Sequence, residues 1–362
     1  GGLSLSLCYC KSIKIKGMKY FISNQFHTLI FLFTTALLFG NATSGNAQNL
    51  LINPSAESTI GAPWISVSGN WDQENYVTAK EGSFHFSAGS GNALGELYQD
   101  VDVSANATEI DASNQHFTFE GYVQDWAGED ASQIVVEFRD AGGTVLWNYD
   151  SGQIFSDNAW RAVCMRRIAP VGTRTVRVRL ISIRNVGSFN DGYFDALSLT
   201  MQTGPVAPVT CGSGPITLST QAEVDSFADT YGCGCSSVDD LTIQSSSIFN
   251  LTGLAQLTSV STELRIANTF NLVNLIGLDG LIEMSGNLDI RDNTALNSLN
   301  SLAGLTTIGN DLIIRNNSDL TLLNGLSALS SIGGNLSIQN NAALTSLNGL
   351  SALVSLSGNL SI

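Results

Sequence analysis

The sequence predicts a mainly β chain in which a jelly-roll β-sandwich is followed by a right-handed, parallel-β leucine-rich solenoid. Two observations carry this expectation. Residues 49–201 hold all five tryptophans and a series of short runs that alternate apolar and polar side chains, the period of half-buried strands. From Asp240 a leucine-bearing unit returns about every 24 residues to the end of the chain. The predicted organisation is an extension and leader over 1–48, the sandwich over 49–201, a linker over 202–215, and a capped, truncated repeat array over 216–362.

The leader is read from charge and apolarity. Lys11, Lys14, Lys16 and Lys19 precede an apolar run, His27–Gly40, and a small-residue exit at Gly45–Gln48. A run of about a dozen apolar residues is too short for the ~20-residue helix that spans a bilayer, so the segment reads as a secretory signal peptide preceded by an upstream extension. Of 16 basic and 31 acidic residues in 362, removal of the leader leaves 12 basic against 31 acidic, a balance of −19. Lys80 is then the single lysine. That balance excludes nucleic acid, whose phosphates need clustered Lys and Arg, and disfavours anionic membrane surfaces. No membrane insertion of the mature chain is expected.

Within 49–201 the clearest strand is Arg174–Ile183. Val176, Val178 and Leu180 fall on one face and Arg177 and Arg179 on the other, as a period of two requires. Phe117–Gln124, Gln133–Asp140, Gly143–Asp150 and Gly192–Thr200 read alike, and no helix of consequence is expected among them. Roughly 150 residues of such strands is the size of a two-sheet jelly roll.

Aromatic rings offer flat apolar platforms for a pyranose face, and Trp64, Trp71, Tyr76, Trp126 and Trp147 are candidates that compete with core packing for the same residues. Trp126 leads, because it breaks the alternation beside Asp125, Glu129 and Asp130 and belongs at a strand end. Carboxylates are numerous (Glu96, Glu120, Asp125, Glu137, Asp140), but glycoside hydrolysis needs two at a set separation, which no spacing in the sequence specifies. There is no nucleophile elbow, zinc-helix, P-loop or dinucleotide motif, and no catalytic residue is assigned. His85 and His116 read as ordinary strand or turn residues.

The ends of this region, Asn49–Glu57 and Asn190–Leu199, resemble those of the galactose-binding-like jelly rolls found as carbohydrate-binding modules in secreted bacterial proteins. The resemblance implies a structural calcium where the first and last strands meet, with Glu57 and Asp195 at the positions that would hold it.

Thr203–Pro215 carries three of the six prolines and reads as the linker. In Ile216–Gly232 a short strand precedes a helix that Ser219 or Thr220 caps, with Glu223 behind the cap and Val224 and Phe227 on one face; this element covers the end of the repeat stack. Export places Cys164, Cys211, Cys233 and Cys235 in an oxidising compartment, where four cysteines allow three pairings. Cys211 is expected to bridge into the 233–235 pair, leaving Cys164 to take the remaining cysteine or to stay free.

The repeat is marked by strands at Asp240–Ile243, Glu263–Ile266, Asn287–Ile290, Asp311–Ile314, Asn335–Ile338 and Asn359–Ile362. Leucines recur in phase between them, Leu272, Leu296, Leu320 and Leu344 forming one row, and should point inward. Asn268, Asp292, Asn316 and Asn340 follow the strands, and Asn293, Asn317 and Asn341 follow those, a pattern for side-chain ladders that satisfy backbone groups. The connecting arcs are too short and too rich in Gly and Ser for full helices. This array resembles the receptor L-domain type of leucine-rich repeat, which implies a recognition surface instead of chemistry. Its exposed strand face would carry Thr242, Arg265, Asp289, Ile313, Ser337 and Ser361, with Arg291 and Arg315 beside them as a modest basic stripe or as ordinary solvated side chains.

Together these readings predict a non-catalytic recognition or adhesion protein, secreted or held at the outer surface of a Gram-negative bacterium. Its partner would be a glycan or an extracellular protein. The alternative is the accessory region of a larger extracellular polysaccharide-degrading enzyme.

Overall fold

The computed structural model describes residues 48–362, so the leader reading, with Cys8 and Cys10, lies outside the described residues. The chain is a two-domain, mainly β protein, an antiparallel sandwich followed by a parallel solenoid.

Ten strands build the sandwich: β1 (Trp64–Ser68), β2 (Asp72–Glu74), β3 (His85–Ser87), β4 (Leu94–Asp102), β5 (Gln115–Asp125), β6 (Ala131–Arg139), β7 (Val145–Asp150), β8 (Arg161–Ile168), β9 (Thr175–Ile183) and β10 (Gly192–Thr203). They form two five-stranded sheets, β1-β4-β9-β6-β7 and β2-β3-β10-β5-β8. In β9, Val176, Val178 and Leu180 are fully buried. Across the same strand Arg177 pairs with Asp100, and Arg179 bridges Glu96 and Glu137. The core between the sheets is aromatic, built on Phe86, Phe117, Phe119, Phe138 and Phe194. One short helix, α1 (Ala107–Asp111), seals an end with Ile110.

The first residues close the sandwich against its last strand. Asn49 accepts from the Leu51 and Leu199 amides and donates to the Leu197 carbonyl, and the Leu50 amide donates to the Leu199 carbonyl. A bulge in β10 between Asp195 and Ser198, with Ala196 at φ 50°, makes room for this strand-end junction.

The solenoid begins with β11 (Ile216–Leu218), α2 (Gln221–Asp225) and α3 (Phe227–Tyr231). Thr220 and Glu223 form the reciprocal capping box the sequence predicted, and Val224 and Phe227 are fully buried over the first repeat. Parallel strands β12 (Ser237–Gln244), β13 (Ser259–Ala267), β15 (Asn287–Arg291), β17 (Leu312–Arg315), β19 (Leu336–Gln339) and β21 (Leu360–Ser361) then stack one per repeat. A second column, unforeseen in the sequence, forks from the first half of β13: the two-residue strands β14 (Glu283–Met284), β16 (Thr307–Ile308), β18 (Ser331–Ile332) and β20 (Ser355–Leu356). The arcs contain single 3₁₀ turns at Asn300–Leu302, Asn324–Leu326 and Asn348–Leu350. Neighbouring arcs pack so closely that a Cβ on Gly325 would stand 1.7 Å from the Leu299 carbonyl oxygen, which explains glycine there.

Each repeat carries two side-chain ladders. Asn268, Asp292, Asn316 and Asn340 occupy the left-handed region at φ 55–59°, where Asn and Asp are tolerated best among residues with a Cβ. The residues after them form a column, buried up to Asn317 and half-buried at Asn341, in which each Oδ1 accepts from the turn before. Asn293 accepts from Thr269 N at 3.0 Å, Asn317 from Asn293 N at 3.1 Å, and Asn341 from Asn317 N at 3.0 Å.

The two halves are clamped together along β8, an edge strand of its sheet. Cys164 bridges to Cys233, while Cys211 bridges to Cys235, which resolves the pairing the sequence left open. The Ala162 amide donates to Asp229, Arg161 pairs with Asp229, and the Arg166 amide donates to the Ala255 carbonyl at 3.0 Å. The solenoid thus covers an edge that would otherwise offer unpaired backbone groups. The segment before β11 is itself tied down, with the Cys211 amide on the Ser237 carbonyl and the Ser236 amide on the Val209 carbonyl.

Candidate functional site

The strand β2 leaves the sandwich through Tyr76, β5 ends on Asp125, and the link from β9 to β10 carries Phe189. These three ends surround a cleft of about 550 Å³ on the outer side of the β2-β3-β10-β5-β8 sheet. Its walls are the rings of Tyr76 (66% exposed), Trp126 (54%) and Phe189 (54%). Three large exposed rings around one hollow with a polar rim make this cleft the candidate site. Ser87 and Tyr193 lie beneath, and the carboxylates of Asp72, Glu74 and Asp191 rim the cleft.

Trp126 is held out by a locked turn. Asp125 is fully buried, and its Oδ1 accepts from Ser156 N at 2.8 Å and Ser156 Oγ at 2.6 Å. Ala127 and Gly128 then adopt left-handed backbone, and the Ala127 amide is caught by Asn158 Oδ1 at 3.2 Å. The Phe189 segment is fixed from the same loop. Asp130, also buried, accepts from Asn185 N at 2.7 Å and Val186 N at 3.2 Å through Oδ1, and from Asp191 N at 2.9 Å through Oδ2. Two of the three acids around Trp126 are therefore internal braces and only Glu129 is solvated. Burial raises the Asp191 carboxyl above the ordinary range, opposed by a hydrogen bond from the Tyr193 hydroxyl at 3.0 Å and reinforced by Asp130 and Asp125.

The other sequence candidates distribute as follows. Trp64 is 3% exposed, packed on Phe86 with its indole N–H on the Ile52 carbonyl; this corrects its place as a platform, since core burial leaves no free face. Trp71 is half-buried against Phe194, its Cζ2 edge beside Gly95 and its N–H on the Ser68 carbonyl. Trp147 is covered by the Arg167 guanidinium at 3.6 Å. The carboxylates considered for hydrolysis are scattered: Glu96 and Glu137 share Arg179, Asp140 closes its own turn, and Glu120 accepts from the Tyr122 hydroxyl. Phe189 had no signal in the sequence, lying in a polar stretch without alternation.

Glu57 and Asp195 do converge on one segment, Lys80–Phe84, but through amide hydrogens. Glu57 Oε1 accepts from Ser83 N at 2.7 Å and Phe84 N at 2.8 Å. Asp195 Oδ2 accepts from Lys80 N at 2.7 Å and Glu81 N at 2.9 Å, and its Oδ1 from Ala196 N at 2.7 Å. Burial pushes the Asp195 carboxyl up to about 6 in spite of these donors. A hard cation is held by some six to eight oxygens. Here backbone N–H donors take Glu57 Oε1 and both oxygens of Asp195. In this arrangement the two carboxylates act as backbone clamps on Lys80–Phe84.

His85, on β3 opposite Glu74, is fully buried between Tyr193 and Trp160, and neither ring nitrogen has a partner. Burial lowers its pKa from 6.5 to about 4. A depressed histidine contributes stability that is complete above its unfolded pKa and is lost as pH falls through the folded value. Relative to a His85→Phe variant, the wild type should therefore lose on the order of 3 kcal/mol of unfolding free energy as pH falls from about 7 to about 3.5. Denaturant titrations across that window measure this; parallel curves for the two proteins would refute it.

No protein-family model and no curated protein matches this sequence. Solved structures do show similarity. TmCBM61 in complex with β-1,4-galactotriose is 18% identical over 43% of this chain and all of that one, with a TM-score of 0.33. A family 16 carbohydrate-binding module is 16% identical over 42% of this chain and 99% of that one, also at 0.33. The enzymatically active domain of bacteriophage CBA120 tailspike protein 4 is 12% identical over 42% of this chain, at 0.33; the match spans 21% of that chain.

Proposed function

We propose that this is a non-catalytic, exported recognition protein that holds a glycan in the cleft between Tyr76, Trp126 and Phe189. The observation that carries the reading is the convergence of three exposed rings from separate strand ends around one hollow rimmed by hydrogen-bond acceptors. Rings take the apolar faces of pyranoses while carboxylates and amides take the hydroxyls, which gives both affinity and orientation. Two disulfides agree with an oxidising compartment, and so with secretion or display at the cell surface. In this reading the sandwich is a galactose-binding-like module, and the receptor L-domain-like array is a rigid arm that presents it.

The test is binding to a panel of oligosaccharides by calorimetry. Trp126→Ala should weaken the best ligand by roughly tenfold to a hundredfold, the ~1–3 kcal/mol expected for loss of one stacking ring, with an unchanged melting temperature. Undiminished binding by the variant would remove Trp126 from the site. Release of reducing ends from any polysaccharide by the purified protein would favour the polysaccharide-degrading alternative.

A further inference from the structure

The charge around the cleft is one-sided. Asp72 is exposed, Glu74 and Asp191 are half-buried, and all three line it, yet no Lys or Arg is among its lining residues. Among the described residues every ion pair lies elsewhere, on Glu96, Asp100, Asp111, Glu137, Asp229, Glu263 and Asp289. Behind the wall stand two more carboxylates, Asp125 and Asp130, buried and compensated only by neutral N–H and O–H donors. The nearby histidine, His85, supplies no positive charge at neutral pH because its burial keeps it deprotonated.

A negative rim over aromatic faces, with Arg184 the nearby cation through its bond to the Ser188 carbonyl at 3.1 Å, suits a cation on two counts. The carboxylates attract it directly, and the electron-rich faces of Trp126, Tyr76 and Phe189 attract it through their quadrupoles. The same field repels uronates and sulfated sugars.

Building on the glycan reading above, we infer that the cleft selects glycans bearing free amines, such as oligomers of β-1,4-linked glucosamine, over their N-acetylated and anionic counterparts. An ammonium group on the sugar sits among Asp72, Glu74 and Asp191 while the ring stacks on the aromatic wall. Neutral oligomers retain the stacking and lose the charge attraction.

The experiment is calorimetry of the whole protein with hexamers of glucosamine, N-acetylglucosamine and galacturonate at a pH near 6, at about 20 and about 300 mM salt. Glucosamine hexamer should bind at least tenfold more tightly than the N-acetylated hexamer. Its affinity should fall severalfold on adding salt, and galacturonate should show no binding. A variant carrying Asp72→Asn and Glu74→Gln should lose most of the preference, its affinity for the glucosamine hexamer falling by a much larger factor than its affinity for the acetylated hexamer. Equal or tighter binding of the acetylated or galacturonate hexamer, or a preference that survives in the amide variant, overturns the selectivity and leaves the glycan site standing. Binding of none of these or of the wider oligosaccharide panel overturns both.

Discussion

Replacing Asn317 with alanine should cost the protein about 3–5 kcal/mol of unfolding free energy, a large share of what a domain has to lose. The side chain is fully buried and works in both directions. Its Oδ1 accepts the Asn293 amide at 3.1 Å, and its Nδ2 donates to the Ile290 carbonyl at 3.0 Å, 27 residues earlier in the chain. Alanine removes these two bonds and the weaker one from Nδ2 to Asn341 Oδ1 at 3.3 Å, and leaves two backbone groups buried without water, which costs more than the bonds themselves were worth. A control separates this from the neighbouring position. Asn316 is in left-handed backbone with its side chain in the outer ladder, so Asn316→Gly should change stability by no more than about 0.5 kcal/mol. Urea titration of both variants decides the matter, and a loss below about 1 kcal/mol for Asn317→Ala would show that the inner column is not a structural necessity. Because repeats are held by their neighbours, the damage should spread along the array and lower the m-value if end repeats detach first.

That ladder was visible in the sequence because a solenoid writes its structure as a period. Leu272, Leu296 and Leu320 are buried in one row, and the phase of the asparagines against them places the amides beside the strand ends before any coordinate is known. The second strand column was not visible: Thr307–Ile308 and Ser331–Ile332 are two residues long, and a period of two cannot be read from two residues. In the sandwich the long strands β5, β6 and β9 announced themselves, whereas β2 and β3, three residues each, did not. The cleft depends on those short pieces and on loops. Trp126 stood out as a break in an alternating run, but Phe189 reaches the cleft only because a loop is tied to Asp130, 59 positions earlier. Trp64 shows the reverse limit, since a tryptophan near a strand start carries no mark that tells core from surface; here its pairing with Phe86 decides it.

The tie at Asp130 leads to the second large effect, a loss of glycan binding from a residue that touches no ligand. Its carboxylate takes three amide hydrogens from the segment between β9 and β10, two on Oδ1 and one on Oδ2. Asn in its place can keep the two on a single oxygen, but its amide nitrogen then faces the Asp191 N–H donor to donor. The end of the loop carrying Phe189 and Asp191 loses its anchor, so one wall and one carboxylate of the cleft move together. Affinity for the best ligand should fall by about tenfold or more, as expected when a pre-organised site must be ordered on binding. Stability should fall by only about 1–3 kcal/mol, the range for a hydrogen bond to a charged group. The signature that separates positioning from contact is thermodynamic. Asp130→Asn should bind with a less favourable entropy, whereas Trp126→Ala loses ring contact and should show a less negative heat-capacity change. Structural scaffolding alone would lower the melting temperature of Asp130→Asn and leave its affinity at wild-type level below the transition, and that result would remove Asp130 from the account of the site.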